Sequence, residues 1–108
     1  MNKEIKEKWV KALRSGEYDQ TRRALHDKNG FCCLGVLCDL HSKESGERWV
    51  SERDGDSKLT YMGWVGILPG SVEDWANVRS LDMENLAHLN DNLFKDFAQI
   101  ADYIEENL

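Results

Sequence analysis

The sequence predicts one compact α+β domain, mainly α, over residues 1–108, with a central buried helix at about 32–41, a small β-hairpin at about 48–66 and a C-terminal helix. Three observations carry that expectation. Apolar residues recur at helical spacing near both ends of the chain, at Ile5, Trp9, Ala12 and Leu13 and again at Phe94, Phe97, Ile100, Ala101 and Ile104. The run Phe31–Leu40 (Phe-Cys-Cys-Leu-Gly-Val-Leu-Cys-Asp-Leu) is apolar on every side but for one Asp, so the rest of the protein must surround it. Residues 42–68 turn polar and Gly-rich, then β-branched and aromatic, the composition of a hairpin. With 108 residues there is material for one core, hiding roughly 60–70% of the unfolded surface.

The first helix spans 3–15: Asn2 can cap it, Glu4/Lys8 and Glu7/Lys11 are favourable i,i+4 pairs, and Gly16 supplies a permissive end. Glu17–Leu25 reads as a shorter helical or turn segment presenting Tyr18, Arg22 and Arg23, closed by the turn signal Asp27-Lys28-Asn29-Gly30. For the apolar run two readings stand: the central helix, or a buried strand Phe31–Leu37 paired back across Asn29-Gly30. In the hairpin, Arg48–Glu52 and Leu59–Val65 are the strands and Asp54-Gly55-Asp56 the turn. Pro69-Gly70 stops that segment, and Ser71-Val-Glu-Asp74 matches the capping box of a helix to about Val78 with Val72, Trp75 and Ala76 inward. Asp82 can cap a further helix over Met83–Leu89, and Asp91 or Asn92 the last one.

Charge narrows the function. Fourteen Lys+Arg against twenty Asp+Glu give −6, which argues against general affinity for a nucleic-acid backbone. The distribution is uneven: residues 1–28 hold eight bases and five acids, while residues 70–108 hold nine acids and two bases. No apolar stretch approaches the roughly 20 residues of a membrane span, and no secretory pattern opens the chain, so a cytoplasmic protein without a membrane partner is expected. Three cysteines, two adjacent, suit free thiols in a reducing compartment.

The blocks Trp9-Val-Lys-Ala-Leu-Arg-Ser-Gly-Glu-Tyr18 with Gln20, Cys32-Cys-Leu-Gly-Val-Leu-Cys-Asp39, Leu68-Pro69 with Trp75, Leu89-Asn-Asp91 and Phe97-Ala-Gln-Ile-Ala-Asp102 carry a resemblance across nearly the whole chain. Together they resemble a group of small proteins encoded by bacteriophages and prophages, the double-cysteine block being the most specific. The resemblance implies a setting and no activity: an accessory protein in the cytoplasm of an infected host bacterium. Where such sequences often carry glycine before the leucine matching Leu25, this chain has Arg23-Ala24.

Each candidate site has a plainer reading beside it. Cys32 or Cys33 with His26 could make a nucleophile and base for a cysteine-dependent hydrolase or transferase, since a helix N-terminus favours a thiolate; buried cysteine is the plainer reading. Cys33, Cys38 and His41 have poor spacing for zinc, and neither a metal nor a cofactor is expected. Arg14, Arg22 and Arg23 can clamp a phosphate while Tyr18, Trp49, Tyr61 or Trp64 stacks on a base or ribose, against the alternative that Arg14 pairs with an acid and the tryptophans belong to the core. Asn90 and Asp91 can read hydroxyls or an amide, or cap the last helix. With no acid, base and nucleophile standing out, the expectation is stoichiometric binding: sequestering a small anionic metabolite such as a nucleotide-derived immune signal, or blocking a host defence protein. Ten aromatic residues leave homo-oligomerisation open.

Overall fold

In the computed structural model, which describes residues 1–51 and 58–108, helices α1 (Lys3–Arg14), α2 (Cys33–Ser45), α3 (Gly70–Ala76), α4 (Ser80–Asp91) and α5 (Phe97–Asn107) surround one core. Four short strands, β1 (His26–Asp27), β2 (Gly30–Phe31), β3 (Trp49–Val50) and β4 (Lys58–Tyr61), form an antiparallel sheet in the order β2-β1-β4-β3. The domain is therefore α+β and mainly α, as its composition and periodicity imply.

Helix α1 begins where the Asn2 side chain accepts the Ile5 N–H at 3.0 Å, and it buries Ile5, Trp9, Val10 and Leu13. That face packs on α5 and α2, and the Trp9 indole N–H reaches the Cys33 carbonyl at 2.9 Å. Helix α2 is the central buried helix, with Cys33–Cys38 all inside. It continues four residues past the expected 41, carried by the i,i+4 pair Asp39/Lys43, until Gly46 takes a left-handed φ of 85°. Gly35 is needed there: a Cβ would stand 1.7 Å from the Leu25 carbonyl oxygen. The strand reading of Phe31–Leu37 holds only for Gly30–Phe31, which pairs back across Lys28-Asn29 with His26–Asp27.

Several boundaries differ from the sequence expectation. Glu17–Leu25 forms no helix; long-range bonds shape it, among them Thr21 N–H to Phe31 O at 2.8 Å and Leu25 N–H to Val65 O at 2.7 Å. The expected second hairpin strand stops at Tyr61, because Met62 (φ 53°) and Gly63 (φ 86°) turn the chain so that Trp64 bonds back to Tyr61. The expected turn Asp54-Gly55-Asp56, with Glu52 at the end of the first strand, lies outside the described residues. Pro69, not Ser71, caps α3, its carbonyl receiving the Val72 and Glu73 N–H groups, while the Ser71 hydroxyl meets Met62 Sδ. Asn77 ends that helix in a left-handed conformation, two residues short of expectation, and Trp75 is only partly buried. Helix α4 starts at Ser80, so Asp82 lies in its first turn and binds the Arg79 guanidinium at 3.0 and 3.3 Å instead of capping. Asp91 and Asn92 finish α4; the cap of α5 is Asp96, in a capping box with Gln99. That shift leaves Phe94 outside the apolar stripe, 62% exposed.

Candidate functional site

The thiols sit at the start of α2, and packing decides their chemistry. Cys32 Sγ is the N-cap, accepting the Gly35 N–H at 3.3 Å; Cys33 faces the Leu86 carbonyl at 3.7 Å. All three cysteines are free and buried. Burial pushes the Cys32 thiol up to about 12 and those of Cys33 and Cys38 upward too, so the helix N-terminus does not win against desolvation. His26 stacks on Phe31 at 3.7 Å between ring centroids and meets the Gly30 carbonyl at 2.7 Å through Nδ1; no described hydrogen bond joins it to a thiol. Cys33, Cys38 and His41 do not converge, and among the described residues no three metal-ligating side chains do. His41 instead meets the Tyr61 hydroxyl at 2.6 Å, and burial lowers its pKa.

The expected anion-binding residues separate into four places. Arg14 is bound by two carboxylates of α5, Asp102 at 2.6 Å and Glu105 at 2.5 Å, which is the plainer reading of that residue. Beside it a groove of about 710 Å³ runs along α1, with Lys3, Lys6 and Lys11 on its walls; Lys6 already donates to the Glu105 carbonyl. Tyr18 is committed to Asp39, its hydroxyl donating at 2.6 Å while Lys43 donates to it at 3.0 Å. The Trp49 indole closes on the same carboxylate at 3.2 Å, so this aromatic group holds its own charges.

Arg22, Arg23, Asn90 and Asp91 do come together, along a seam between residues 20–23 and 90–95. Fully buried Asn90 accepts from Gln20 Nε2 at 2.8 Å and from the Cys33 N–H at 3.3 Å, and donates to Thr21 O at 3.0 Å and Asp91 Oδ1 at 2.8 Å. Its hydrogen-bonding positions are filled by the chain itself, so it pins the seam. Asp91 Oδ1 also accepts the Arg23 N–H at 3.0 Å. Sequence reasoning missed Phe94 here; the four-residue capping-box pattern Asp96-Phe-Ala-Gln99 is the signal that would have placed it before the helix.

Trp64 occupies the fourth place. The backbone that turns at Met62-Gly63 leaves Trp64 47%, Val65 37% and Ile67 58% exposed. It runs directly into a cleft of about 300 Å³, floored by Leu34, Ile67, Met83 and Ala87 and rimmed by Glu73 and Glu84. Of the carboxylates on α3 and α4, Glu73 and Glu84 line it, and none of the residues lining it is a Lys or Arg.

A family model described as Domain of unknown function (DUF8296) matches residues 1–84. The chain belongs to the DUF8296 family. The DUF8296 match takes in the Trp64 turn and all of the acidic cleft but Ala87, and ends inside α4; Asn90–Phe94 and α5 lie beyond it. No curated protein and no solved structure matches the chain. Among the described residues no helix is long and apolar enough to cross a membrane.

Proposed function

We propose that the protein works by stoichiometric recognition, with the Trp64 turn and its acidic cleft covering the basic surface of a partner protein. One observation carries this reading: three large apolar side chains, Trp64, Val65 and Ile67, stand exposed within four residues. A soluble domain rarely leaves such a group uncovered, and tryptophan is the side chain most often found at the energetic centre of an interface. The carboxylates of α3 and α4 supply attraction to Lys/Arg-rich partners and speed the encounter. The resemblance to small phage and prophage proteins gives the setting, the cytoplasm of an infected bacterium, and makes a host defence protein the partner to be blocked.

The test places a photo-crosslinking amino acid at position 64 or 67 and, as control, at exposed position 11 on α1. One host protein should crosslink from 64 and 67 and not from 11. With that partner purified, affinity should fall as salt rises, and Trp64→Ser should cost about 2 kcal/mol, roughly thirtyfold. Equal crosslinking from position 11, or full affinity in Trp64→Ser, overturns the reading.

A further inference from the structure

Along the seam between residues 20–23 and 90–95, two non-glycine residues hold left-handed backbone, Arg23 at φ 64° and Phe94 at φ 52°. For a bulky side chain that conformation is sterically costly, and folds normally tolerate it where packing compensates. Burial in the core does not compensate here, because Phe94 is 62% and its neighbour Leu93 50% exposed. The chain therefore holds an aromatic ring out into solvent at a steric cost.

What stands beside the ring indicates a ligand. The Arg22 guanidinium lies 4.8 Å from the Phe94 centroid, and its Nε is buried without a hydrogen-bond partner. Neither Arg22 nor Arg23 has an ion-pair partner among the described residues, unlike Arg14 and Arg79. The one carboxylate in the seam, Asp91, has Oδ1 engaged by the Arg23 backbone N–H and by Asn90. The Arg23 backbone is thus held by the Asn90–Asp91 network, while Phe94 offers an open aromatic face and Arg22 and Arg23 offer two cations with no ion-pair partner among the described residues.

We propose that this seam is a binding site for a small aromatic anion, an unsaturated ring bearing a phosphate, as in a nucleoside monophosphate. The ring stacks on the exposed face of Phe94, and the phosphate meets the guanidinium groups of Arg22 and Arg23. A long polyanion fits poorly, because the nine acids among residues 70–108 outnumber the two bases there. The site shares no residue with the Trp64 surface, so either proposal survives the failure of the other.

Calorimetric titration of the full chain with AMP, UMP, adenosine and inorganic phosphate tests it. One of the monophosphates should bind at least roughly tenfold tighter than adenosine or phosphate, and Arg22→Ala or Arg23→Ala should remove that advantage. Phe94→Gly separates loss of the ring from loss of the fold, since glycine adopts φ 52° at no steric cost: it should melt at or above the wild-type temperature yet lose the monophosphate. The proposal is overturned if neither monophosphate binds at millimolar concentration, if phosphate alone binds as well, or if Phe94→Gly retains affinity. A Phe94→Gly melting temperature clearly below wild type would also overturn it, by making the ring a structural element.

Discussion

Replacing Asn90 by alanine removes the side chain that joins the Gln20–Arg23 segment, the start of α2 and the end of α4. The cost follows from which partners are left alone. Gln20 Nε2 keeps the Lys95 carbonyl at 2.8 Å, and Asp91 Oδ1 keeps the Arg23 N–H. The Cys33 N–H and the Thr21 carbonyl lose the partner that Asn90 gave them. A buried polar group left unsatisfied costs roughly 1–3 kcal/mol, and the Cys33 bond, at 3.3 Å, belongs at the low end, so about 3 kcal/mol is expected for the pair. Against a total of roughly 5–15 kcal/mol for a domain of this kind, that is a large fraction. In urea, with a slope of roughly 1.5 kcal/mol/M, the midpoint read by circular dichroism should fall by about 2 M. Asn90→Asp sharpens the test, because it keeps the acceptor for Cys33 but turns the donor into an oxygen facing Thr21 O and Asp91 Oδ1. Its folded-state pKa is raised above the ordinary value of about 3.9, so its penalty grows as pH rises from there and vanishes below. A loss under about 1 kcal/mol in Asn90→Ala, or an Asn90→Asp variant insensitive to pH, would refute the assignment of Asn90 as the pin of the seam.

Gly35→Ala should cost more than about 3 kcal/mol, seen as a collapse in soluble yield or melting temperature, since its Cβ meets backbone 1.7 Å away; near-wild-type melting would show that α2 and Leu25 can separate cheaply. The thiols should resist a disulfide reagent at neutral pH in the folded state and all react on unfolding; labelling of Cys32 within seconds would return a nucleophile to consideration. Because burial raises the folded-state pKa of Cys32 to about 12 from 9.0, its stabilising contribution is intact below pH 9 and lost as pH rises from there towards 12, so the urea midpoint should drop between pH 9 and 12.

Local signals predicted what local interactions build. The Asn2 cap, the apolar stripe of α1, the unbroken apolar run of α2 and the stop at Pro69 each act within a turn or two of chain, and each lies where sequence patterning puts it. The Gln20–Leu25 segment has no period to read, because its backbone bonds go to Phe31 and Val65, partners chosen by the tertiary fold. Asx residues misled for a related reason. Asn90-Asp91-Asn92 has the right side chains to open a helix, but whether a helix begins or ends there depends on what reaches the buried amide of Asn90 from elsewhere. For the candidate site, the pairing of Arg22 and Arg23 with Asn90 and Asp91 was legible as residue types, and their meeting around an exposed Phe94 was not.

The segregation of charge along the chain acquires a physical sense once the fold is known. A basic N-terminal part and an acidic C-terminal part could have formed one long-range dipole, but the packing of α1 on α5 spends much of the opposition internally, through Arg14 with Asp102 and Glu105 and through Lys6 with the Glu105 carbonyl. Those contacts are exposed and contribute little to stability. Outside those contacts stand Glu73 and Glu84 at the cleft that follows the Trp64 turn, and Arg22 and Arg23 near Phe94. The two proposals thus use groups of opposite charge, each beside an exposed aromatic ring, on a chain whose net charge of −6 disfavours indiscriminate polyanion binding. Salt should therefore weaken both proposed interactions while leaving the fold intact, because the core is held by apolar packing and by the buried hydrogen bonds of Asn90.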